Sequence, residues 1–204
     1  MNLKIVLLRH GQIQANVDGL WHGSTDSPLT EFGVAQAKET GRHLSQQLPF
    51  DKVFSSPLQR CLDTARYASG QQIGNINRVP GFAEMSIGEW EGTPYSDLQT
   101  HHDFVNQSTK NLDYSAPGGE SLNQVLDRFD KALTTIISSE VHLQNILIVS
   151  HGAALAIALA WLIDGDLTKW QNYHFTNCSL TELIFDPQPR LTTCNSSAHL
   201  TRLG

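Results

Sequence analysis

Three apolar runs constrain the fold more than any other feature of this chain, because each is long enough for a buried strand and each precedes a helical pattern. They are LKIVLL at 3–8, KVFSS at 52–56 and NILIVS at 145–150. Near-continuous apolar runs of this length are typical of parallel strands that helices cover on both faces. The sequence therefore predicts an α/β fold, a three-layer α/β/α sandwich with a mostly parallel central sheet.

Helical patterns lie between the predicted strands. Thr30 is a predicted N-cap for a helix that reaches about residue 46. Ser56 and Pro57 form a second start signal, with serine as the N-cap and proline in the first turn, for a helix through about residue 67. The stretch GGESLNQVLDRFDKALTTIIS from Gly118 has apolar residues at helical spacing, which predicts an amphipathic helix packed on the sheet.

Length and charge limit the possible function classes. At 204 residues and 40% hydrophobic, without a repeat or a linker, the chain is expected to form a single domain over 1–204. A stretch at about 85–118 that is rich in Gly, Pro and polar residues predicts a small lid-like insertion. The net charge of −6 argues against nucleic-acid binding, so any anion site is expected to be local.

Apolar and cysteine patterns bear on location. The N-terminal apolar stretch is too short for a signal peptide, and the longest apolar run, AALAIALAWLI at 153–163, is well short of a membrane span. Cys61, Cys178 and Cys194 are widely spaced, form no CxxC pair and are expected to be reduced packing residues. We therefore expect a cytoplasmic protein that does not bind membranes. The residues predict no oligomeric state.

Ionisable residues cluster at the ends of the predicted strands. Arg9 and His10 follow the first strand, Arg60 lies shortly after the second, and His151 follows the third. Because the carboxyl ends of parallel strands meet at one edge of a sheet, we expect these four side chains to share a pocket. Each alone is more often a capping or solvent-facing residue. Together they favour an anion-binding pocket, because grouped cations repel one another without an anion between them.

Two glycines extend this pattern, whereas metal and nucleotide motifs are lacking. Gly11 and Gly152 directly follow the two histidines and are predicted to let backbone N–H groups approach the anion. The nine histidines include an adjacent pair, His101 and His102, but no HxxxH or HExxH spacing. There is also no GxxxxGK[ST] or GxGxxG sequence. We therefore expect no metal and no cofactor.

Five blocks of the sequence resemble, in order, the signature blocks of the histidine phosphatase superfamily, also called phosphoglycerate mutase-like proteins. They are LLRHGQIQAN, HGSTDSPLTEFGVAQA, VFSSPLQRCLDTA, FAEMSIGEWEG and VSHGAALAIAL, and NCSLTEL is similar to the family's last core strand. One block alone is weak evidence, whereas five in the same order are strong. The resemblance spans about residues 3–160 and implies phosphoryl transfer through a phosphohistidine.

The resemblance also implies roles for individual residues. The family's nucleophile matches His10, and its proton donor matches Glu84. The positions that bind the phosphoryl group match Arg9, Arg60 and His151, and further pocket positions match Asn16 and the backbone near His22 and Gly23.

These roles agree with the chemistry of the residue types. A neutral imidazole attacks phosphorus in line and splits one displacement into two easier ones. Guanidinium donors suit phosphate oxygens. A carboxylic acid protonates the leaving alkoxide and then takes a proton from water. Spacing alone does not separate Glu84 from Glu89 and Glu91, which follow in GEWEG.

Three positions depart from the pattern that many members share. Gln12 and Ile13 stand where Glu-Thr is common after RHG, and His22 stands where glutamine is common. We expect the core chemistry to survive these departures, while the substrate preference changes.

The insertion favours hydrolysis over isomerisation. Between Met85 and Gly118 the single basic side chain is Lys110, against five acidic ones, whereas mutases of this family supply extra basic residues there. Trp90, Tyr95 and Phe104 are expected either to contact the organic part of the substrate or to form the insertion's own small core. We predict a metal-independent phosphomonoesterase for a small-molecule phosphate ester. The alternatives are a phosphoglycerate mutase, an α-ribazole phosphate phosphatase and a non-catalytic phosphate-binding protein.

Overall fold

The structure of the protein, a computed structural model, describes residues 3–47, 49–139, 142 and 144–203, so both ends of the predicted 1–204 domain lie outside the described residues. Its strands are β1 (Leu3–Arg9), β2 (Lys52–Ser55), β3 (Asn77–Arg78), β4 (Asn145–Ser150), β5 (Leu180–Phe185) and β6 (Pro189–Ser196). They form one six-stranded sheet in the order β3-β2-β4-β1-β5-β6.

The sheet is mixed and mostly parallel. β3, β2, β4 and β1 run parallel, whereas β5 pairs antiparallel with β1 and β6 pairs antiparallel with β5. The predicted α/β fold with a mostly parallel sheet is confirmed. β3 and β6 were not predicted, because β3 has two exposed residues and β6 has only partly buried and exposed ones, so neither shows a buried apolar run.

The helices are α1 (Gln14–Asp18), α2 (Glu31–Leu44), α3 (Gln59–Ser69), α4 (Tyr95–Thr100), α5 (Phe104–Lys110), α6 (Leu122–Ser139) and α7 (Gly152–Leu159). A π-helical turn (Ala160–Asp164) and a 3-10 helix (Leu167–Asn172) follow α7. The Thr30 side chain accepts a hydrogen bond from the Gly33 amide at 3.0 Å, so the predicted N-cap of α2 is confirmed. In the described part of the chain, no helix is both long enough and apolar enough to cross a membrane.

Alternate residues of β1 enter two different cores. Ile5 and Leu7 pack in one buried cluster with residues of α6 and α7. Val6 and Leu8 pack in a second cluster with residues of α2 and α3. Because successive strand residues point to opposite faces, this division places helices on both faces of the sheet.

The start of α3 differs from the prediction. Ser56 was predicted to cap this helix, but α3 begins at Gln59. The Asp26 carboxylate accepts from the Gln59 amide at 2.9 Å and caps the helix from a distant loop. Ser56 Oγ instead lies 2.7 Å from a ring nitrogen of His151. The predicted cap was wrong because a carboxylate from outside the local sequence takes that position.

Residues 85–118 form short helices on one face of the sheet. Met85, Ile87, Leu98 and Phe104 are fully buried in the same cluster as α6 and α7. Phe104 therefore belongs to the packed core, which settles one of the three aromatic positions of this segment.

Candidate active site

The carboxyl ends of β1 and β4 bring the two histidines together. β1 and β4 are adjacent and parallel, with Arg9 opposite Ser150. His10 and His151 directly follow these paired residues, and their ring centroids lie 5.2 Å apart. The convergence follows from the strand register, because equivalent positions in neighbouring parallel strands end at the same edge.

His10 lies at the floor of a cavity of about 490 Å³ and is only 3% exposed. Its Nδ1 donates to the carbonyl of Gly11 at 2.7 Å. Burial, and then the charges of Arg9 and Arg60, hold the pKa of His10 well below its usual value. His10 is therefore a neutral imidazole whose proton sits on Nδ1, so Nε2 keeps its lone pair.

Arg9 lies beside His10 in the same cavity and has a buried donor without a partner among the described residues. Its Nη1 donates to the carbonyl of Phe175, but its Nε is buried with no hydrogen-bond partner among the described residues. A Cβ on Gly152 would lie 3.6 Å from this guanidinium, so the first residue of α7 passes directly over it. A buried N–H without a partner is costly, and an anion in the cavity would satisfy it.

Arg60 and His151 lie behind the cavity floor rather than in the cavity lining. Both are fully buried, and Arg60 Nε donates to His151 Nδ1 at 3.2 Å. Since arginine only donates, His151 Nδ1 is an acceptor, and its Nε2 donates to Ser56 Oγ. Burial, followed by the Arg60 charge, holds the pKa of His151 well below its usual value. His151 is therefore neutral as well.

The remaining donors of Arg60 hold a loop. Nη1 donates to the carbonyl of Thr25 at 2.8 Å, and Nη2 donates to the carbonyls of Gly23 at 2.9 Å and His22 at 3.1 Å. Arg60 thus ties the loop at 22–25 to the base of the site.

Glu84 is the one residue of Glu84, Glu89 and Glu91 that lines the cavity. Its carboxylate accepts from the Ala154 amide at 2.9 Å and from the Ala153 amide at 3.1 Å, both in the first turn of α7. These bonds fix the carboxyl at the N-terminal turn of α7. The structure thus separates the three acids that spacing could not.

Glu91 has a different place. Its carboxylate accepts from the amide of Gly23 at 2.9 Å and from the amide of Ser24 at 3.0 Å, and from the hydroxyl of Thr25 at 2.8 Å. Burial alone would raise its pKa, but the hydrogen bonds from Ser24 and Thr25 hold the pKa of Glu91 below its usual value. Glu91 therefore holds the loop at 22–25, which Arg60 also holds. Glu89, in contrast, is exposed.

Arg128 of α6 holds the backbone that carries Glu84. Its guanidinium donates to the carbonyls of Gly81 at 2.9 Å, Ala83 at 2.7 Å and Glu84 at 2.9 Å. It also pairs with Glu120 at 2.7 Å. The backbone of residues 81–84 is thus anchored to α6 while the Glu84 side chain is anchored to α7.

The predicted pocket residues fall into two groups. Asn16 and His22 line the cavity, as does Gly152, whereas Gly11 and Gly23 do not. The Gly11 amide donates to Thr64 Oγ1 at 3.0 Å, so this amide is not free to bind an anion. The prediction that it approaches the anion was therefore wrong. A Cβ on Gly11 would lie 2.6 Å from the Gly33 carbonyl oxygen, and a Cβ on Gly23 would lie 2.2 Å from the Met85 carbonyl oxygen. Close backbone packing therefore requires both glycines.

Asn177 is a site residue that the sequence analysis missed. It lines the cavity, and its Nδ2 donates to Asn16 Oδ1 at 3.0 Å and to the His10 carbonyl at 3.1 Å. Asn16 Oδ1 also accepts from the Ile13 amide at 3.1 Å. With its oxygen used twice, Asn16 offers its Nδ2 donor to the cavity.

An aromatic wall completes the cavity, and most of it was also missed. We define this wall by five lining residues: Trp21, Tyr95, Trp170, Tyr173 and Phe175. Three of them come from KWQNYHF at 169–175, just before β5. The run of aromatic residues in this segment was the available signal in the sequence. Its position in the cavity that holds His10 depends on packing between residues far apart in the chain. Of the three aromatic positions in the insertion, only Tyr95 reaches the cavity.

No cluster of three His, Cys, Asp or Glu side chains that could hold a metal ion occurs among the described residues. The cavity presents a neutral histidine, an arginine whose Nε has no partner among the described residues, and the Glu84 carboxyl. On a mostly parallel α/β sheet, at the edge where ligands bind, this combination of groups is typical of phosphoryl-transfer enzymes with a histidine nucleophile.

The family comparison agrees with this class. Residues 5–196 match the model of the histidine phosphatase superfamily (branch 1). The chain belongs to this superfamily, as its five sequence blocks had predicted, and the prediction of a phosphoric monoester hydrolase is confirmed.

Individual relatives include both phosphatases and a mutase. The chain is 32% identical to the adenosylcobalamin/α-ribazole phosphatase of Escherichia coli over 166 residues, 79% of each chain. It is 32% identical to the 2,3-bisphosphoglycerate-dependent phosphoglycerate mutase of Methylorubrum populi over 176 residues, 83% of this chain and 82% of the relative. Among solved structures, a mutant phosphoserine phosphatase of Entamoeba histolytica in complex with phosphoserine is similar with a TM-score of 0.85. Its identity is 28%, and the match covers 97% of this chain and 99% of that one.

Proposed function

We propose that this protein hydrolyses a small-molecule phosphate monoester through a phosphohistidine on His10, without a metal ion. The proposal rests on two neighbouring residues at the cavity floor, His10 and Arg9. His10 is neutral with its Nδ1 proton committed to Gly11, and Arg9 beside it has a buried Nε without a partner among the described residues. An uncharged nucleophile next to an unused cationic donor suits attack on a phosphate anion.

In the first half-reaction, His10 Nε2 attacks phosphorus while the bond from phosphorus to the ester oxygen breaks. Arg9 Nε and Asn16 Nδ2 donate to the equatorial oxygens, where negative charge is spread. The Glu84 carboxyl gives its proton to the leaving oxygen, which departs as an alcohol. His10 keeps its Nδ1 proton on the Gly11 carbonyl, so the phosphorylated ring stays in place.

In the second half-reaction, water attacks the phosphohistidine and the bond from phosphorus to Nε2 breaks. The Glu84 carboxylate takes one proton from this water, which restores the carboxyl, and inorganic phosphate leaves. Arg60 and His151 act from beneath. Arg60 orients His151 and the loop at 22–25, and its charge lowers the pKa values of His10 and Arg9.

Three expectations accompany this proposal. The single-domain organisation over 1–204 and the lid-like role of residues 85–118 stay predictions. We place the protein in the cytoplasm, because Cys61, Cys178 and Cys194 are all free thiols. A nucleic-acid ligand is disfavoured by the net charge of −6.

Mutase activity is less well supported than hydrolysis. A phosphoglycerate mutase has to hold a carboxylate as well as a phosphate, and Lys110, the one basic side chain between Met85 and Gly118, is exposed and does not line the cavity. The E. coli relative named for α-ribazole phosphate makes that compound a candidate substrate.

The test is phosphate release from a panel of phosphomonoesters with EDTA present, for the wild type and for His10→Ala. We expect turnover in EDTA, a loss of at least about 1,000-fold in His10→Ala, and a phosphoenzyme that is labile in acid and stable in alkali. His43→Ala, outside the cavity, is the matched control. Normal turnover in His10→Ala, or a phosphoenzyme with the opposite lability, would contradict the proposal. Transfer of phosphate to a second hydroxyl without release would indicate a mutase.

A further inference from the structure

Much of the cavity lining beyond His10 and Arg9 consists of aromatic and uncharged polar side chains. The aromatic wall contributes stacked rings, with Trp21 and Tyr95 nearly parallel at a centroid distance of 5.9 Å. Two carboxamides, Gln99 and Gln171, lie beside these rings in the lining. Tyr95 Oη donates to Gln171 Oε1 at 3.5 Å. This hydrogen bond links α4 to the 3-10 helix at Leu167–Asn172.

Positive charge is confined to the floor. Among the described lining residues, Arg9 is the only lysine or arginine. Lys169 is next in sequence to Trp170, but its Nζ lies 3.5 Å from the Asp164 carboxylate and it does not line the cavity. Besides His10, the lining contains two further imidazoles, those of His22 and His174.

A second anion in the substrate would therefore have no further lysine or arginine to pair with. The unused Nε of Arg9 is taken by the phosphoryl group in the proposed reaction. A carboxylate in the leaving group would lose its water against the aromatic wall without a cation, and such burial is costly. The Glu84 carboxyl, which lines the same cavity, would add like-charge repulsion whenever it is ionised.

We propose that this cavity selects phosphate monoesters whose leaving alcohol is uncharged and has a flat face, and that it discriminates against esters that carry a carboxylate. The flat face packs on the aromatic wall, and hydroxyl or amide groups pair with Gln99 and Gln171. This inference rests on the proposed function of His10. It separates this chain from its relatives named for phosphoserine and phosphoglycerate, since both compounds contain a carboxylate.

The first test compares matched pairs of esters at pH 8. Glycerol 3-phosphate and 3-phosphoglycerate differ by a hydroxymethyl group in place of a carboxylate, and phenyl phosphate and 4-carboxyphenyl phosphate differ by one carboxylate on the ring. We expect kcat/KM to be at least about 10-fold higher for the uncharged member of each pair. The phenyl pair is expected to be hydrolysed faster than the glycerol pair, because its ring packs on the aromatic wall.

The second test adds the missing cation. Gln171→Lys is expected to raise the ratio of kcat/KM for 4-carboxyphenyl phosphate over phenyl phosphate by at least about fivefold. Gln171→Met removes the amide without adding charge, and it is expected to leave this ratio near the wild-type value. Gln46→Lys adds the same charge at an exposed position after α2, outside the cavity, and is also expected to leave the ratio unchanged.

The outcomes separate the inference from the function on which it rests. Equal or faster hydrolysis of the carboxylated esters, with the activity lost in His10→Ala, would overturn the selectivity and leave the phosphatase intact. A ratio that rises equally in Gln171→Lys and Gln46→Lys would also overturn it, because the effect would then be long-range. No hydrolysis of any ester above the His10→Ala level would overturn both the proposed function and the selectivity.

Discussion

At the scale of single residues, the proposed nucleophile is uncharged and the positive charge lies on the residue next to it. His10 is kept neutral by burial and by two neighbouring guanidiniums, while Arg9 holds a cation whose Nε has no partner in the described part of the chain. An arrangement of this kind favours the bound phosphate over the empty protein, because an anion satisfies a donor that is otherwise buried and unpaired.

Arg9→Met tests this separation. We expect kcat/KM to fall by at least about 100-fold, the scale of removing a charged donor from a reacting anion. The free energy of unfolding is expected to stay the same or to rise, because a desolvated cation next to Arg60 is replaced by an apolar chain of similar length. Steady-state kinetics and urea unfolding measure the two quantities. Arg202→Met, at an exposed position, is the control, and a large loss of stability in Arg9→Met would contradict the argument.

The two buried histidines predict how stability depends on pH. The pKa values of His10 and His151 are lowered by folding, so the unfolded chain takes up protons near pH 6.5 that the folded chain excludes. Stability is therefore complete above that pH and falls as the pH drops from 7 to 5.5, by about 1.4 kcal/mol per pH unit for each fully excluded proton. Urea unfolding across this range measures the slope.

His10→Gln is expected to reduce this slope by about one proton, because glutamine does not titrate. His101→Gln is the control, since that side chain is 74% exposed and its Nδ1 lies 3.5 Å from Asp97 Oδ1. An unchanged slope in His10→Gln would show that His10 is protonated in the folded protein.

At the scale of elements, helices from distant parts of the chain hold the site. Glu84 is anchored twice, through its side chain to α7 and through its backbone to Arg128 of α6. The loop at 22–25 is likewise held by Arg60 from α3 and by Glu91 from the segment after β3. Glu84 and the loop at 22–25 are thus placed by contacts with packed helices and neighbouring segments rather than by their own loop conformations.

Arg128→Gln tests whether α6 positions the proton donor. We expect kcat to fall about 10-fold with little change in KM for an alkyl ester, which needs protonation of its leaving group. The loss is expected to be smaller for 4-nitrophenyl phosphate, whose leaving group needs little protonation, and Glu84→Gln should show the same dependence. Lys131→Gln, exposed on the same helix, is the control. Equal losses for both esters would mean that Arg128 acts only on stability.

The GEWEG segment offers a matched pair of acids. Glu91→Gln is expected to lower the free energy of unfolding by about 1–3 kcal/mol at pH 7, the scale of losing hydrogen bonds to a charged group. Glu89→Gln is expected to change it by less than about 0.5 kcal/mol, because Glu89 is exposed. Since the pKa of Glu91 is lowered by folding, its contribution is lost as the pH falls through that lowered value. Thermal unfolding at pH 7 and pH 3 measures both effects, and equal stability of the two variants at pH 7 would contradict the assignment.

At the scale of the whole molecule, the sequence predicts the central strands and the floor of the site well, for a physical reason. Apolar runs such as NILIVS and the residues that directly follow them are fixed by local pattern and by sheet geometry. The capping of α3 by Asp26 and the joining of Tyr95 to Gln171 depend on contacts between residues far apart in the chain. No local pattern carries such contacts, so Asn177 and most of the aromatic wall were missed, although Tyr95 was named as a candidate contact.

The position of β1 has a consequence for how the protein is made. β1 (Leu3–Arg9) is synthesised long before its partners in the sheet, β4 (Asn145–Ser150) and β5 (Leu180–Phe185). A nascent chain that ends before β4 has Arg9 and His10 but no neighbouring strand to bury them, and pairings of such long range are slow to form. In such a chain His10 lacks the neighbouring strands that bury it. The proposed chemistry of His10 is therefore expected to begin only after β4 and β5 have been made and have paired with β1, so that synthesis itself delays activity.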